Sequence, residues 1–234
     1  MNTVHLRRVR SFVRRPGRIT ASQQRALEAL WPRFGIEYDE RRLDLDAVFG
    51  RHAARVLDIG FGDGEALVTS AAHEPACDFL GVEVHEPGIG HLLVLLEKAN
   101  LVNVRILRRD VVDVIAHMLP PASFDRVNLF FPDPWPKKRH HKRRLVQTEF
   151  LEMLWGVMKP GGLLHIATDW TDYAEHIAEI VGASPRFRRC TAEALGARGM
   201  SARPPTKFER RGLKLGHEVT DFYYEAVAAE GAAS

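Results

Sequence analysis

Apolar and polar positions follow two rhythms along most of this chain. Residues 53–60 (AARVLDIG), 78–84 (DFLGVEV), 104–107 (VRIL), 124–131 (FDRVNLFF) and 163–169 (LLHIATD) are short apolar runs that read as strands. Between them, apolar residues recur at helical spacing. Glu65 to Ala72 continues from a glycine turn, and Pro87 suits the first turn of a helix carrying Ile89, Leu92, Leu93, Leu96 and Ala99. Val111 to Met118 is a shorter helix. Leu145 to Met158 carries a stripe of Val146, Phe150, Leu151, Leu154, Trp155 and Met158, which KPGG (159–162) stops, and Asp172 to Val181 forms another helix.

Runs apolar on both faces, alternating with helices through short turns, predict a mostly parallel sheet covered on both sides. The fold class is therefore α/β, doubly wound by right-handed crossovers. The β-rich tail EVTDFYYEAV (218–227) adds a strand at the sheet edge. Ahead of the alternation lie a short helix, Ser22 to Trp31, and a polar connection, Tyr38 to Asp46. The chain thus divides into an N-terminal arm with a short helix (1–45) and one main domain (46–234).

Composition narrows the choice. With 234 residues, 45% hydrophobic and 27% charged, the chain is large enough for one substantial core, and disorder or collagen-like repetition is excluded. The longest apolar run, Leu92 to Leu96, falls far short of the roughly 20 residues a membrane helix needs. Cys77 and Cys190 form no C-x-x-C pair, so neither a disulfide framework nor a zinc site is indicated, and a cytoplasmic location fits.

Net charge is only +3, but it is unevenly spread. Residues 1–27 hold Arg7, Arg8, Arg10, Arg14, Arg15, Arg18 and Arg25 with no acid, and KKRHHKRR (137–144) holds six more cations. The other 199 residues carry −10. Two basic segments on an acidic body point to a polyanion such as nucleic acid; a solvated basic face is the bland alternative. An acid-free, Arg-rich N-terminus is also a property of transit peptides, but RRPGRIT interrupts any amphipathic helix there.

Ligands of such sheets bind outside the carboxyl ends of the strands. Asp58, Glu83, Asp110, Asp133 and Asp169 all follow strand runs there, and ionised carboxylates are costly to bury without partners. Gly60, Gly62 and Gly64 allow a sharp turn and close backbone approach, though they also suit a bare strand-to-helix turn. Their G-x-G-x-G spacing, with Asp63 inside the loop, suits a pyrophosphate poorly. Glu83 can accept from ribose hydroxyls of a dinucleotide or an adenosyl cofactor; the extra acids favour cationic S-adenosyl-L-methionine over NAD.

FFPDPWPKKRHHKRR (130–144) carries prolines at 132, 134 and 136, which exclude helix and regular strand and predict a stiff loop holding Asp133 and Trp135. A carboxylate can accept from guanine N1–H and its exocyclic amine, while Trp135 stacks on a base or braces the loop. The cations downstream suit phosphates. Adjacent His140 and His141 do not converge on one ion, and no metal is assigned.

RSFVRRPGRIT (10–20), VLDIGFGDG (56–64), GVEVHEPGIG (81–90), FFPDPWPKKRHHKRR, ATDW (167–170) and TKFE (206–209) resemble the successive motifs of the bacterial tRNA (guanine-N7)-methyltransferase family, over roughly residues 10–225. That resemblance implies a Rossmann-like class I methyltransferase fold with a basic N-terminal extension, and S-adenosyl-L-methionine-dependent methylation of guanine 46 in the tRNA variable loop. It implies cofactor contacts from Asp58, Gly60, Gly62, Glu83, Asp110 and Asp133, with Asp133 also catalytic. Lys137, Asp169, Thr206, Lys207, Phe208 and Glu209 would contact substrate, and Arg139, His140, His141, Lys142, Arg143 and Arg144 would form an RNA-interaction region. Asp58 stands where the family commonly has glutamate, and Pro136 where it often has histidine. The stretch 191–205, rich in small residues, reads as a loop leading into TKFE. The competing readings are an NAD-dependent oxidoreductase and a non-catalytic RNA-binding protein on the same scaffold.

Overall fold

In the computed structural model, which describes residues 17–198, 203–213, 216 and 218–228, strands and helices alternate as the apolar rhythm requires. The arm's Arg7, Arg8, Arg10, Arg14 and Arg15 lie outside the described residues. The elements run α1 (Ala21–Phe34), β1 (Gly35–Ile36), α2 (Leu45–Phe49), β2 (Ala54–Ile59), α3 (Glu65–His73), β3 (Cys77–Val82), α4 (Glu86–Lys98), β4 (Val104–Leu107) and α5 (Val111–His117). They continue with β5 (Phe124–Phe130), a 3-10 turn (Lys138–Arg143), α6 (Thr148–Val157), β6 (Met158–Thr168), α7 (Thr171–Gly182), β7 (Phe187–Arg189), α8 (Ala192–Ala197), α9 (Lys207–Leu213) and β8 (Thr220–Ala226).

Among the described residues, eight strands form one sheet in the order β1-β4-β3-β2-β5-β6-β8-β7. The first six of these pair in parallel, and β8 runs antiparallel to both neighbours. Strand order reverses between β2 and β5, which makes their carboxyl ends the switch point.

Successive side chains of a strand face opposite sides, and here both sides are covered. Val56 and Phe79 pack with Leu67, Ile89, Leu92 and Phe34 under α1, α3 and α4. Leu57, Ile59, Leu80 and Val82 pack on the other face with Val114, Phe150, Leu154 and Ile177 of α5, α6 and α7. This two-sided burial is why the central strands read as continuous apolar runs.

Three features depart from the sequence reading. The run 218–227 is second from the edge; the edge strand is β7, whose three residues carry too little pattern to read. KPGG does not separate helix from strand: β6 begins at Met158, and Gly161, at φ 78°, sits in an irregularity of the β5–β6 ladder. Residues 192–197 form a helix capped by Thr191, whose side chain accepts from the Ala194 N–H. The expected N-terminal helix is present as α1, with Ala26 and Phe34 buried and a reciprocal capping box between Thr20 and Gln23 at its start.

Candidate active site

Because β2 to β6 run in the same direction, the acids that follow them lie on the same, carboxyl-terminal side of the sheet. Asp58 sits next to last in β2, in register with Asn128 of β5. It is buried, and Asn128 donates its Nδ2–H to it at 3.3 Å. Burial pushes the Asp58 carboxyl up to about 6, against the Asn128 hydrogen bond and the charge of Arg126, while the charge of Glu83 adds to the rise. Asn128 was not legible as a site residue, although a lone amide in an apolar strand is the kind of signal that marks one.

The loop after β2 turns through three left-handed glycines, Gly60, Gly62 and Gly64, at φ 69°, 61° and 79°. Space above Gly60 and Gly62 is open, so these two leave room for a ligand as well as meeting a backbone demand. Glu83 fixes the loop from the next strand. Its Oε2 accepts from Gly62 N–H at 3.0 Å, and its Oε1 accepts from Val84 and His85 N–H at 2.6 and 2.9 Å. Asp110 caps α5, accepting from Val112 N–H at 3.1 Å. Asp63 accepts from Glu65 N–H at the start of α3, and His91 donates its Nδ1–H to the Asp63 carbonyl at 2.7 Å.

Asp58 and this loop form the floor of a cavity of about 850 Å³. Phe130 and Phe131 line one side, and Thr206, Lys207, Phe208 and Arg210 close over it from α9. Thr206 and Glu209 make a reciprocal cap: Glu209 N–H donates to Thr206 Oγ1 at 3.0 Å, and Thr206 N–H donates to Glu209 Oε2 at 3.1 Å. Two ion pairs fasten α9 to the loop and to α3. Lys207 Nζ lies 3.6 Å from Asp63, and Arg210 meets Glu65. Phe208, 57% exposed at the mouth, lies 5.4 Å from the Phe131 ring. Arg210 was not anticipated, since nothing in the sequence pairs it with a residue 145 positions earlier.

Asp133 lies on an exposed turn directly beyond β5. On either side of it, Phe131 and Trp135 adopt left-handed backbone at φ 52° and 47°, a conformation that aromatic side chains disfavour. Neighbouring groups hold it in place. Phe131 N–H donates to Ala167 O at 2.8 Å, the Arg143 guanidinium lies 4.9 Å over the Trp135 ring, and His140 meets that ring edge-on at 5.8 Å.

The basic run is not the uniform surface its letters suggest. Residues 138–143 coil into a 3-10 turn that leaves Lys137, Lys138, Arg139 and Lys142 exposed and His140, His141 and Arg143 half-buried. Desolvation and the surrounding cations hold His140 below the ordinary imidazole value. Arg144 departs from the expected RNA surface, being only 3% exposed. Its guanidinium is used inside the fold, on the Pro134 carbonyl, on Asp172 and over the Tyr173 ring.

The structure thus gathers Asp58, Gly60, Gly62, Thr206, Lys207 and Phe208 around one cavity, with Glu83 bonded to its floor. Asp169 is set apart, lining a second hollow of about 510 Å³ with Trp170, Asp172 and Glu218.

The family described as "Putative methyltransferase" matches residues 52–222. A protein of Alkalilimnicola ehrlichii named tRNA (guanine-N(7)-)-methyltransferase is 55% identical, the match covering 93% of this chain and 92% of that one. Proteins of the same name from Halorhodospira halophila and Burkholderia thailandensis are 55% and 52% identical over 93% and 94% of this chain, covering 95% and 83% of theirs. Among solved structures, the 16S rRNA methyltransferase KamB superposes with a TM-score of 0.56 at 15% identity, covering 80% of this chain and 95% of that one. The aminoglycoside resistance methyltransferase NpmB1 gives 0.53 at 18%, over 81% and 95%. Those two likenesses establish a Rossmann-like methyltransferase fold, and the identities above 50% over nearly the whole chain carry the closer relationship. The chain belongs to the bacterial tRNA (guanine-N(7)-)-methyltransferase family.

Proposed function

We propose that this chain methylates N7 of guanine in tRNA, at guanine 46 of the variable loop, and does so in the cytoplasm. The chain is a methyltransferase, and S-adenosyl-L-methionine is its methyl donor. The residues present fit that donor. Open space lies above Gly60 and Gly62, Asp58 offers a carboxylate at the cavity floor, and Glu83 and Asp110 stand at the next two strand ends. Asp58 and Asp63 on the floor suit a cation and disfavour a pyrophosphate there, while Lys207 and Arg210 of the roof are paired with Asp63 and Glu65. When bound, the donor supplies an electrophilic methyl group on a sulfonium.

Guanine N7 carries a free lone pair at neutral pH, so no residue is needed to make the nucleophile. The protein's task is alignment, which contributes up to roughly 7–11 kcal/mol in favourable cases. Asp133 takes that role: it accepts from guanine N1–H and the exocyclic amine, and its charge favours the cation that forms as N7 is methylated. Lys137, Asp169 and the Thr206–Glu209 segment contact the substrate. Lys138, Arg139 and Lys142 meet phosphates without reading sequence.

The observation that supports this reading is that Asp133 is exposed on a turn two residues beyond the cavity-lining Phe131, with four exposed cations in the next nine residues. The test is transfer of a radiolabelled methyl group to unmodified tRNA, followed by mapping of the modified nucleotide. Label at guanine 46 is the expected result. Label on another nucleotide would overturn the position, and tRNA binding without label would favour a non-catalytic RNA-binding protein.

A further inference from the structure

We propose that Arg203 is a positioning residue for the methyl transfer: one buried guanidinium sets the α9 roof and the Phe130–Phe131 wall of the cavity relative to each other. The proposal rests on the functional reading above. Arg203 lies outside every motif that pointed to the site, yet its side chain is only 8% exposed and its charge is fully engaged.

Toward α9, its Nη1 and Nη2 donate to the two carboxylate oxygens of Glu209, at 2.5 and 2.9 Å. Toward the sheet, its Nε and Nη2 donate to the two oxygens of Asp221, at 2.8 and 3.3 Å. The guanidinium carbon lies 5.2 Å from the centres of both the Phe130 and Phe131 rings. Asp221 is itself anchored, in register with Ala167 and 2.6 Å from the Nε2 of buried His165, whose ring packs 4.8 Å from Phe130.

Each of these interactions acts on a different part of the site. Asp221 belongs to the rigid sheet. Glu209 also receives the Thr206 N–H, so the fork on Glu209 fixes the segment that carries Lys207 and Phe208 over the cavity. Phe131 begins the turn that holds Asp133. A planar guanidinium can hold two carboxylates bidentately and lie against two rings at once, whereas a lysine ammonium, a point charge with three donors, cannot reproduce that fixed fork. Arg203 touches no reacting atom in this scheme; it works by fixing groups that do.

The test uses the full chain and unmodified tRNA, with Arg203→Lys keeping the charge and losing the fork. Misplacing a reacting geometry by about 1 Å costs roughly 100-fold in rate, so kcat should fall by about that factor. The KM for tRNA and the Kd for S-adenosylhomocysteine should stay within about threefold of the parent, because the Gly60–Gly64 floor and the exposed cations are untouched. Glu209→Gln approaches the same interaction from the other end. It keeps an acceptor for Thr206, should lower kcat by about tenfold, and should add nothing when combined with Arg203→Lys. An active parent with an Arg203→Lys variant of undiminished kcat would overturn this proposal alone. So would a loss of kcat that merely follows the folded fraction in a circular-dichroism melt, or losses that multiply in the double variant. A parent that transfers no methyl to tRNA would overturn the functional reading, and this proposal with it.

Discussion

Arg144 donates its Nε–H to the carbonyl of Pro134 at 3.0 Å, so the last residue of the basic run holds the residue that follows Asp133. The other end of the guanidinium meets Asp172 at the start of α7, and its face lies 4.9 Å from the buried Tyr173 ring. The run therefore contains cations that face solvent, Arg143 stacked on Trp135, and Arg144, which braces the turn from beneath.

Arg144→Ala should consequently behave as a stability and geometry variant. Without its hydrogen bonds and packing, the unfolding free energy should drop by about 1–3 kcal/mol in a denaturant titration. The dependence of tRNA affinity on salt should be unchanged. A flatter salt dependence in this variant would put Arg144 on the RNA surface after all.

Replacing Lys138, Arg139 and Lys142 together with alanine should do the opposite. For every phosphate that is no longer neutralised, the plot of log affinity against log salt should flatten by roughly 0.7–0.9. Folding and the affinity for S-adenosylhomocysteine should hardly change, because these side chains are exposed and line no part of the cavity. A slope equal to the parent's would show a merely solvated run.

Asp133→Asn keeps the size of the side chain and removes its charge. If the carboxylate both orients guanine and favours the cation formed at N7, kcat should drop by about 100-fold to 1000-fold, in the range set by other preorganised electrostatic groups. Single-turnover methyl transfer to tRNA measures this directly. Full activity in the variant would remove Asp133 from the mechanism.

Asp58 gives the site a pH dependence whose sign follows from burial. Its carboxyl titrates at about 6 in the fold against 3.8 for the free side chain, so between those values the folded chain holds a proton that the unfolded chain does not. This group favours the folded state most below pH 4, and the contribution disappears as pH rises through about 6. A cationic ligand requires the ionised form. If Asp58 binds the ammonium of S-adenosylhomocysteine, affinity for it should be full above pH 7 and fall by up to about tenfold per unit below 6. Calorimetric titration between pH 5 and 8 checks it, and Asp58→Asn should abolish the dependence.

The doubly wound sheet was legible because β2, β3 and β5 are buried on both faces, so residues as different in position as Val56 and Leu57 had to be apolar together. The strand-end position of Asp58 at the cavity floor was legible for a related reason: charge at the end of an apolar run has few structural explanations. Short elements were not. β1 has two residues and β7 three, and both owe their existence to pairing with β4 and β8 more than to local pattern. The division of the basic run was hidden as well. Arg143 and Arg144 are identical letters, and only the packing of α7, with Asp172 and Tyr173, separates a ring-stacked arginine from a buried one.

Close packing between α4 and the Gly60–Gly64 loop makes one glycine indispensable there. At Gly88, in the first turn of α4, an added Cβ would lie 2.0 Å from the Gly62 carbonyl oxygen. That is a backbone atom, so no side-chain rotation relieves the clash. Gly62 must move, and with it the N–H that donates to Glu83. Gly88→Ala should therefore weaken S-adenosylhomocysteine binding by about tenfold or more, the loss of one charge-assisted hydrogen bond and of the loop's fit being worth at least about 1.4 kcal/mol. Gly156, in α6, has nothing within 4 Å of the same added atom. Gly156→Ala should leave binding alone and raise stability by roughly 0.5–1 kcal/mol, because alanine is the better helix residue where space is open. If Gly88→Ala instead bound as tightly as Gly156→Ala, the packing of α4 on the loop would not be what shapes the cofactor site.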